Sequence, residues 1–160
     1  VADRMYEAGA DGINLDTVGA SGDADALAAF RAAEKIHEKH PDFPVEMGMA
    51  GEFFLGMHGK LEYAGERLAG MYPHEQVKLA EKAGASIFGP TVNTNSSETF
   101  AWNLARTCTF IKACSEVSSI PIHPNVGMGV CAMSLTDSVP LDAASRADKA
   151  LVELCRADGL

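Results

Sequence analysis

One short sequence pattern, a helix end followed by a strand start, recurs three times along the chain and constrains the fold more than any other feature. A helix-like stretch ends at Ala-Gly or Arg-Ala-Asp, and an apolar strand-like run follows, as in AGADGINLDT, AGASIFGPT and RADGL. A second type of strand start, apolar-Pro-apolar, alternates with it in FPVEMGM and IPIHPNVGM. Together, these two types of strand start define a repeating pair of strand–helix modules, each about 35 to 40 residues long.

Helical apolar spacing fills the segments between these strands. It runs through ADALAAFRAAEKIHEKH, PHEQVKLAEKAG, TFAWNLARTCTFIKACSEV and LDAASRADKALVELCRA. Alternating strands and helices require a parallel sheet covered by helices, so we predict an α/β fold. The module length is typical of a TIM-type (β/α)8 barrel, which takes about 250 residues. The 160 residues are therefore predicted to be one domain, 1–160, that holds about half of such a barrel.

Composition argues against several classes of function. A formal net charge of −9 disfavours a nucleic-acid partner, because phosphate binding requires clustered Lys and Arg. No apolar run reaches the roughly 20 residues of a membrane span, and no secretory-type leader is recognised, so a cytoplasmic protein is expected. The four cysteines form neither a CxxC pair nor a zinc-type Cys/His cluster. We expect them to be small core residues, and we expect no bound metal.

Strand parity gives the clearest indication of a functional site, since successive strand side chains point to opposite faces. FPVEMGM places Val45 and Met47 on one face and Glu46 on the other, and the neighbouring strands separate Asp16 and His123 from apolar residues in the same way. The polar faces would meet at the C-terminal mouth of a barrel, where barrel enzymes act. Burying such groups without partners is costly, which favours a ligand site. The residues predicted to converge there are Asp16, Glu46, Asn93, Asn95, His123 and Asn125, with Glu52 just beyond the GMAG turn.

Several of these positions also have a structural interpretation, and both stay open at this point. Asp16 either contributes to the site or caps the turn at residues 19–21. His123 is either functional or a hydrogen-bonded core histidine. The long segment LGMHGKLEYAGERLAGMYP either covers a substrate or docks a partner, or it is an irregular surface loop.

Several blocks of sequence together resemble the dimethylamine methyltransferase family. They are GADGINLDT, GMAGEFFLGMHGKLEY, LAGMYPHEQ, GASIFGPTVNTN, AWNLARTCTFIKA and HPNVGMGV, and they extend in order over essentially the whole chain. One departure follows the last block, where Cys131-Ala132 stands in place of a more glycine-rich pattern.

The resemblance implies an enzyme that transfers a methyl group from dimethylamine to the cobalt of a cognate corrinoid protein, in methanogenesis or related one-carbon metabolism. The corrinoid would be carried by that partner and not bound directly by this chain. Acidic groups at the mouth would favour an ammonium-like nitrogen and move protons. On parity and charge, the predicted catalytic residues are Glu46, Glu52 and Asp16, and the predicted substrate-binding residues are Asn93, Asn95, His123 and Asn125.

In the family, a segment that looks like RADGL precedes pyrrolysine, whose electrophilic imine is thought to hold the amine. We therefore expect the chain to stop at an amber codon and to be inactive without the residues beyond it. We also expect self-association, because half a barrel exposes sheet edges.

Two other classes of function remain alternatives. One is a barrel enzyme that acts on another small metabolite or a pterin without a corrinoid protein. The other is a non-catalytic binding remnant whose polar mouth serves no chemistry.

Overall fold

A computed structural model of the protein describes residues 1–91, 101–124 and 140–160. Helices and strands alternate along most of this length. The helices are α1 (Ala2–Glu7), α2 (Asp23–Lys39), α3 (Gly51–Leu55), α4 (Pro73–Lys82), α5 (Ala101–Ser115) and α6 (Leu141–Glu153). The strands are β1 (Ile13–Val18), β2 (Val45–Ala50), β3 (Glu62–Tyr63), β4 (Glu66–Arg67) and β5 (Ile87–Thr91).

The main sheet is parallel and has the strand order β1-β2-β5. Ile13 pairs with Val45 at one junction, and Met47 pairs with Phe88 at the other. Ile122 extends the pattern through an isolated parallel bridge to Phe88. The predicted α/β fold with a parallel sheet is therefore confirmed, whereas closure into half of a barrel stays a prediction.

The core lies between one face of this sheet and the helices. Phe30 of α2 and Val77 of α4 are fully buried there, together with Met47 and Phe88 of the strands. The buried residues of α2 and α4 recur at helical spacing, and for this reason the periodicity of the sequence predicted both helices correctly. The three cysteines of the described residues include Cys114 and Cys155, which are buried as expected, and Cys108, which is half-buried. No helix in the described ranges is both long enough and apolar enough to cross a bilayer.

The long segment after α3 contains a small antiparallel hairpin, formed by β3 and β4. Its turn, Ala64-Gly65, has two left-handed residues, with φ of 53° and 85°, which suits the right-handed twist of a two-residue hairpin. Tyr63 attaches the hairpin to α2: its ring stacks on Phe30 at 4.8 Å between centroids, and its hydroxyl donates to Glu34 Oε1 at 2.8 Å. Of the interpretations left open for this segment, an irregular surface loop does not describe residues 62–67, which form the hairpin.

The Tyr63 hydroxyl offers a direct test of this attachment. We expect Tyr63→Phe to lower the free energy of unfolding by about 1 kcal/mol, because it removes one hydrogen bond to a carboxylate and keeps the stacked ring. Urea unfolding of the variant measures this, with Tyr72→Phe as the control, since Tyr72 is half-exposed and its ring stacks on His74. Equal stability of Tyr63→Phe and the unmodified protein would contradict the attachment.

Candidate functional site

The polar face of the parallel sheet carries three of the residues that the sequence singled out, Asp16, Glu46 and His123. Asn14 of β1 pairs in register with Glu46 of β2, and Gly48 pairs with Gly89 of β5. Because side chains alternate along a strand, Asp16 lies on the same face as Asn14. The apolar neighbours, such as Met47, fill the core on the opposite face.

Glu46 and His123 meet on this polar face. His123 Nδ1 lies 2.7 Å from Glu46 Oε1, although 77 residues separate the two in sequence. An ionised carboxylate can only accept, so Nδ1 carries the hydrogen and donates it. Both side chains are partly exposed, at 22% for Glu46 and 40% for His123, so the pair is accessible from solvent.

The charge of Glu46 acts on the imidazole. The hydrogen bond to Glu46 raises the pKa of His123 above its ordinary value of 6.5, and a backbone hydrogen bond with Leu160 raises it further. Desolvation acts in the opposite sense but is the smaller effect. The imidazole of His123 therefore stays protonated to a higher pH than an isolated histidine would, and groups that titrate near neutral pH are suited to acid–base chemistry.

Two glycines leave space for the side chains of this polar face. A Cβ on Gly89 would lie 2.9 Å from the backbone oxygen of His123 and 3.8 Å from Glu46 Oε1. A Cβ on Gly48 would lie 2.7 Å from Asp16 Oδ1. No role was predicted for Gly89, although its place in the strand IFGPT, as a glycine within a strand like the Gly of VEMGM, was the available signal.

Asp16 stands at the exposed end of β1. Its Oδ1 accepts a hydrogen bond from Thr17 N at 2.7 Å, and Thr17 has a left-handed φ of 56°, which is unfavourable for a β-branched residue. Gly19, in the turn that Asp16 was expected to cap, instead donates its N–H to Asp25 Oδ2 at 2.9 Å. The Asp16 side chain therefore hydrogen-bonds at the end of its own strand, and the turn before α2 is capped by Asp25 instead.

Glu52 differs from the other acidic residues because its carboxylate is buried. The sequence placed it beyond a GMAG turn, but β2 extends to Ala50 and α3 begins directly at Gly51, so Glu52 lies in the first helical turn. Apart from a contact with its own backbone, neither carboxylate oxygen has a hydrogen-bond partner within the described residues. Burial raises the pKa of Glu52 to about 7, and this backbone contact and the positive charge of Arg106 on α5 oppose the rise in part.

The raised pKa of Glu52 predicts a pH-dependent stability. A buried acid whose folded pKa exceeds its unfolded value of 4.5 favours the folded state below that value, and this benefit is lost as pH rises towards about 7. We therefore expect Glu52→Gln to unfold like the unmodified protein at pH 4 and to be the more stable of the two at pH 8. Urea unfolding across this pH range measures the difference. A constant difference at all pH values would contradict the shift.

Three predicted residues, Asn93, Asn95 and Asn125, lie outside the described residues, and their roles stay predictions. Within the described ranges, no three His, Cys, Asp or Glu side chains lie close enough together to hold a metal ion. The arrangement that the structure does show is the hydrogen-bonded pair of Glu46 and His123, both partly exposed, on the polar face of the sheet.

The described residues form a parallel α/β fold with the hydrogen bond between Glu46 and His123 on the polar face of its sheet. The family model described as dimethylamine methyltransferase (Dimeth_PyL) matches residues 1–160, and the chain belongs to that family. The resemblance seen in the sequence blocks is thereby confirmed. No solved structure matches the chain.

Proposed function

We propose that the protein acts in the transfer of a methyl group from dimethylamine to the cobalt of a corrinoid, which a cognate protein carries. Membership of the dimethylamine methyltransferase family supports the reaction class. The observation that carries the proposal in the structure is the 2.7 Å hydrogen bond between Glu46 and His123 on the polar face of the sheet.

The chemistry explains why an acid–base pair is needed. In the reaction the N–CH3 bond breaks, the methyl group moves to cobalt, and the nitrogen leaves as methylamine. Transfer of a methyl group from neutral dimethylamine would release a methylamide anion, a very poor leaving group, so the nitrogen must carry an additional proton when the bond breaks. A protonated nitrogen can then leave as a neutral amine.

His123 and Glu46 supply the means of holding that proton. Glu46 orients the ring through Nδ1 and stabilises its cationic form, so the imidazole exchanges a proton with the amine near neutral pH. Asp16 adds negative charge at the end of β1, which favours an ammonium-like nitrogen over a neutral one. Glu52 is the third acidic candidate, from the start of α3.

The remaining assignments complete the proposal. Asn93, Asn95 and Asn125 orient the amine through their amides, and the cognate corrinoid protein docks over the polar face.

The sheet continues as part of a TIM-type barrel. In the described residues β1 forms one edge of the sheet, which favours self-association of the chain or pairing with further strands.

The test is a methyl-transfer assay on the protein extended beyond Leu160, because the 160 residues alone are expected to be inactive. The cognate corrinoid protein is added, and the visible absorption of its cobalt is followed. We expect a signal with dimethylamine and a weaker signal or none with monomethylamine and trimethylamine. Omission of the corrinoid protein is the control. Turnover of another small metabolite without any corrinoid protein would overturn the proposal in favour of a different enzyme, and absence of any turnover with an intact fold would favour a binding role.

A further inference from the structure

Residues 156–160, after the end of α6, lie against the segment that carries His123. Asp158 contacts Ile122, the residue before His123, through both its side chain and its backbone. Its Oδ2 atom accepts the backbone N–H of Ile122 at 2.8 Å, and its own backbone N–H donates to the oxygen of Ile122 at 2.9 Å. These two residues are 36 positions apart in sequence. Asp158 therefore fixes the backbone directly before His123 from a distant part of the chain.

The other side of the same segment is bonded to β5. The backbone N–H of His123 donates to the oxygen of Phe88 at 2.9 Å, and the N–H of Phe88 donates to the oxygen of Pro121 at 3.0 Å. Residues 121–123 are thus hydrogen-bonded to β5 on one side and to Asp158 on the other, as a strand is bonded to two neighbours. Removal of either neighbour would loosen the backbone from which the imidazole projects.

Gly159 sets the space on one side of the imidazole ring. A Cβ at this position would lie 3.0 Å from His123 Cδ2 and 3.7 Å from Nε2. Cδ2 is on the other side of the ring from Nδ1, the nitrogen that lies 2.7 Å from Glu46 Oε1. The ring therefore lies between Glu46 and Gly159, and a larger residue at position 159 would displace it from its place against Glu46.

The His123 side chain depends on such contacts because it is 40% exposed. A side chain with this exposure changes rotamer readily unless its neighbours restrict it. A backbone hydrogen bond with Leu160 is a third contact from the same five residues. Reactive groups lose rate steeply when they are misplaced, by up to about 100-fold for a displacement of about 1 Å.

The tripeptide Ala-Asp-Gly also occurs at residues 10–12, before β1, where its contacts are different. There the N–H of Ile13, and not that of the aspartate, donates to the backbone oxygen of Pro44 at 3.0 Å. Asp11 itself is exposed. The repeat in the sequence therefore does not by itself produce the contacts that Asp158 makes, and Asp11 provides a matched control.

We propose that Asp158 and Gly159 are positioning residues of the Glu46–His123 pair. Asp158 fixes the backbone at Ile122, and Gly159 leaves the space that keeps the ring against Glu46. Neither residue exchanges a proton with the substrate, and both act through His123. The inference rests on the function proposed for the pair, and it extends the site to the residues that follow α6.

Proton NMR titration of His123 in the 160-residue chain tests the placement of the ring without any turnover. Within the described residues, Glu46 and the backbone of Leu160 raise the pKa of His123 and burial lowers it, and the charge of Asp158 is not among these effects. We expect Asp158→Ala and Gly159→Ala each to move the pKa of His123 back towards its ordinary value of 6.5, because the ring moves away from Glu46.

A conservative variant separates the hydrogen bond of Asp158 from its charge. Asp158→Asn keeps an oxygen that can accept the N–H of Ile122 and removes the negative charge, so we expect it to retain the raised pKa of His123. Asp11→Ala, in the matching tripeptide, should also leave this pKa unchanged. An unchanged pKa in Asp158→Ala, or a fall in Asp158→Asn as large as in Asp158→Ala, would overturn the role of Asp158.

Gly159→Ala tests the second contact with little risk to the fold. Gly159 is not among the residues with a left-handed φ, so alanine fits its backbone conformation, and only the contact with the ring changes. Circular dichroism confirms that the variant is folded before it is titrated. An unchanged pKa of His123 in folded Gly159→Ala would overturn the role of Gly159.

The same variant separates the positioning role from the proposed function. In the protein extended beyond Leu160, with the cognate corrinoid protein, we expect Gly159→Ala to lower kcat about 10- to 100-fold and to change KM little. A lower kcat with an unchanged pKa of His123 would contradict positioning. A lowered pKa with an unchanged kcat would confirm positioning and contradict the catalytic function of the pair, so the two failures are distinguishable.

Discussion

Replacement of Glu46 by Gln is expected to reduce methyl transfer by about 100-fold or more, the usual contribution of a positioned acid–base group. The amide keeps the shape of the side chain, but it removes the charge that holds a proton on His123. In an enzyme preparation active with the cognate corrinoid protein, we expect the loss in kcat and not mainly in KM. Glu66→Gln, at an exposed position of the hairpin, is the control and should retain activity.

A second measurement tests the same pair without any turnover. In the folded chain, the pKa of His123 is raised by Glu46, and we expect Glu46→Gln to move it back down. Proton NMR titration of the ring gives the value, and a His123→Gln variant assigns the signal among the five histidines. The raised pKa stabilises the fold below about pH 6.5, and this contribution is lost as pH rises through the folded pKa. An unchanged titration in Glu46→Gln would contradict the pairing.

Replacement of Gly19 by Ala is expected to lower the free energy of unfolding by about 3 to 4 kcal/mol. A left-handed φ of 87° costs an L-residue about 1 to 2 kcal/mol. A Cβ at this position would also overlap the ring of Phe54, with Phe54 Cζ 2.8 Å away. Phe54 is fully buried and cannot move aside freely, so overpacking adds a further cost of about 1 to 3 kcal/mol. Urea unfolding measures the total.

Gly65 separates the two contributions to this cost. It has nearly the same φ, 85°, but a Cβ there would meet nothing within 4 Å. We expect Gly65→Ala to cost only about 1 to 2 kcal/mol. In a Phe54→Leu background, Gly19→Ala should cost less than it does alone, because the ring that it meets is gone. Equal costs at Gly19 and Gly65 would show that the contact with Phe54 does not matter.

The sequence was sufficient for features that depend on local periodicity. The alternation in VEMGM placed Glu46 opposite Met47, and the sheet shows the same separation. Helical spacing located α2 and α4 to within a residue or two, and Gly84 follows α4 with the left-handed φ, 86°, expected after a helix end. These features follow from the residues themselves and require no knowledge of distant contacts.

Features that depend on tertiary contacts were not accessible from the sequence. The hairpin has Ala64-Gly65 in its turn, which lacks the Asn-Gly or Asp-Gly signal of such turns. Asp23 is the first residue of α2, and its carboxylate accepts the N–H of Leu61 from the segment before the hairpin, 38 residues away in sequence. Asn103 was part of an apolar helical pattern, and only the packed structure shows that its amide is buried without a partner among the described residues.

The distance along the chain between Glu46 and His123 has a consequence for assembly. The two residues are joined across β5, which lies between β2 and the bridge at Ile122, and 77 residues separate them. Contacts between such remote segments form late, because closing long loops is entropically costly. The raised pKa of His123 therefore also reports a late stage of folding. We expect it to develop only after β2, β5 and the segment around Ile122 have come together.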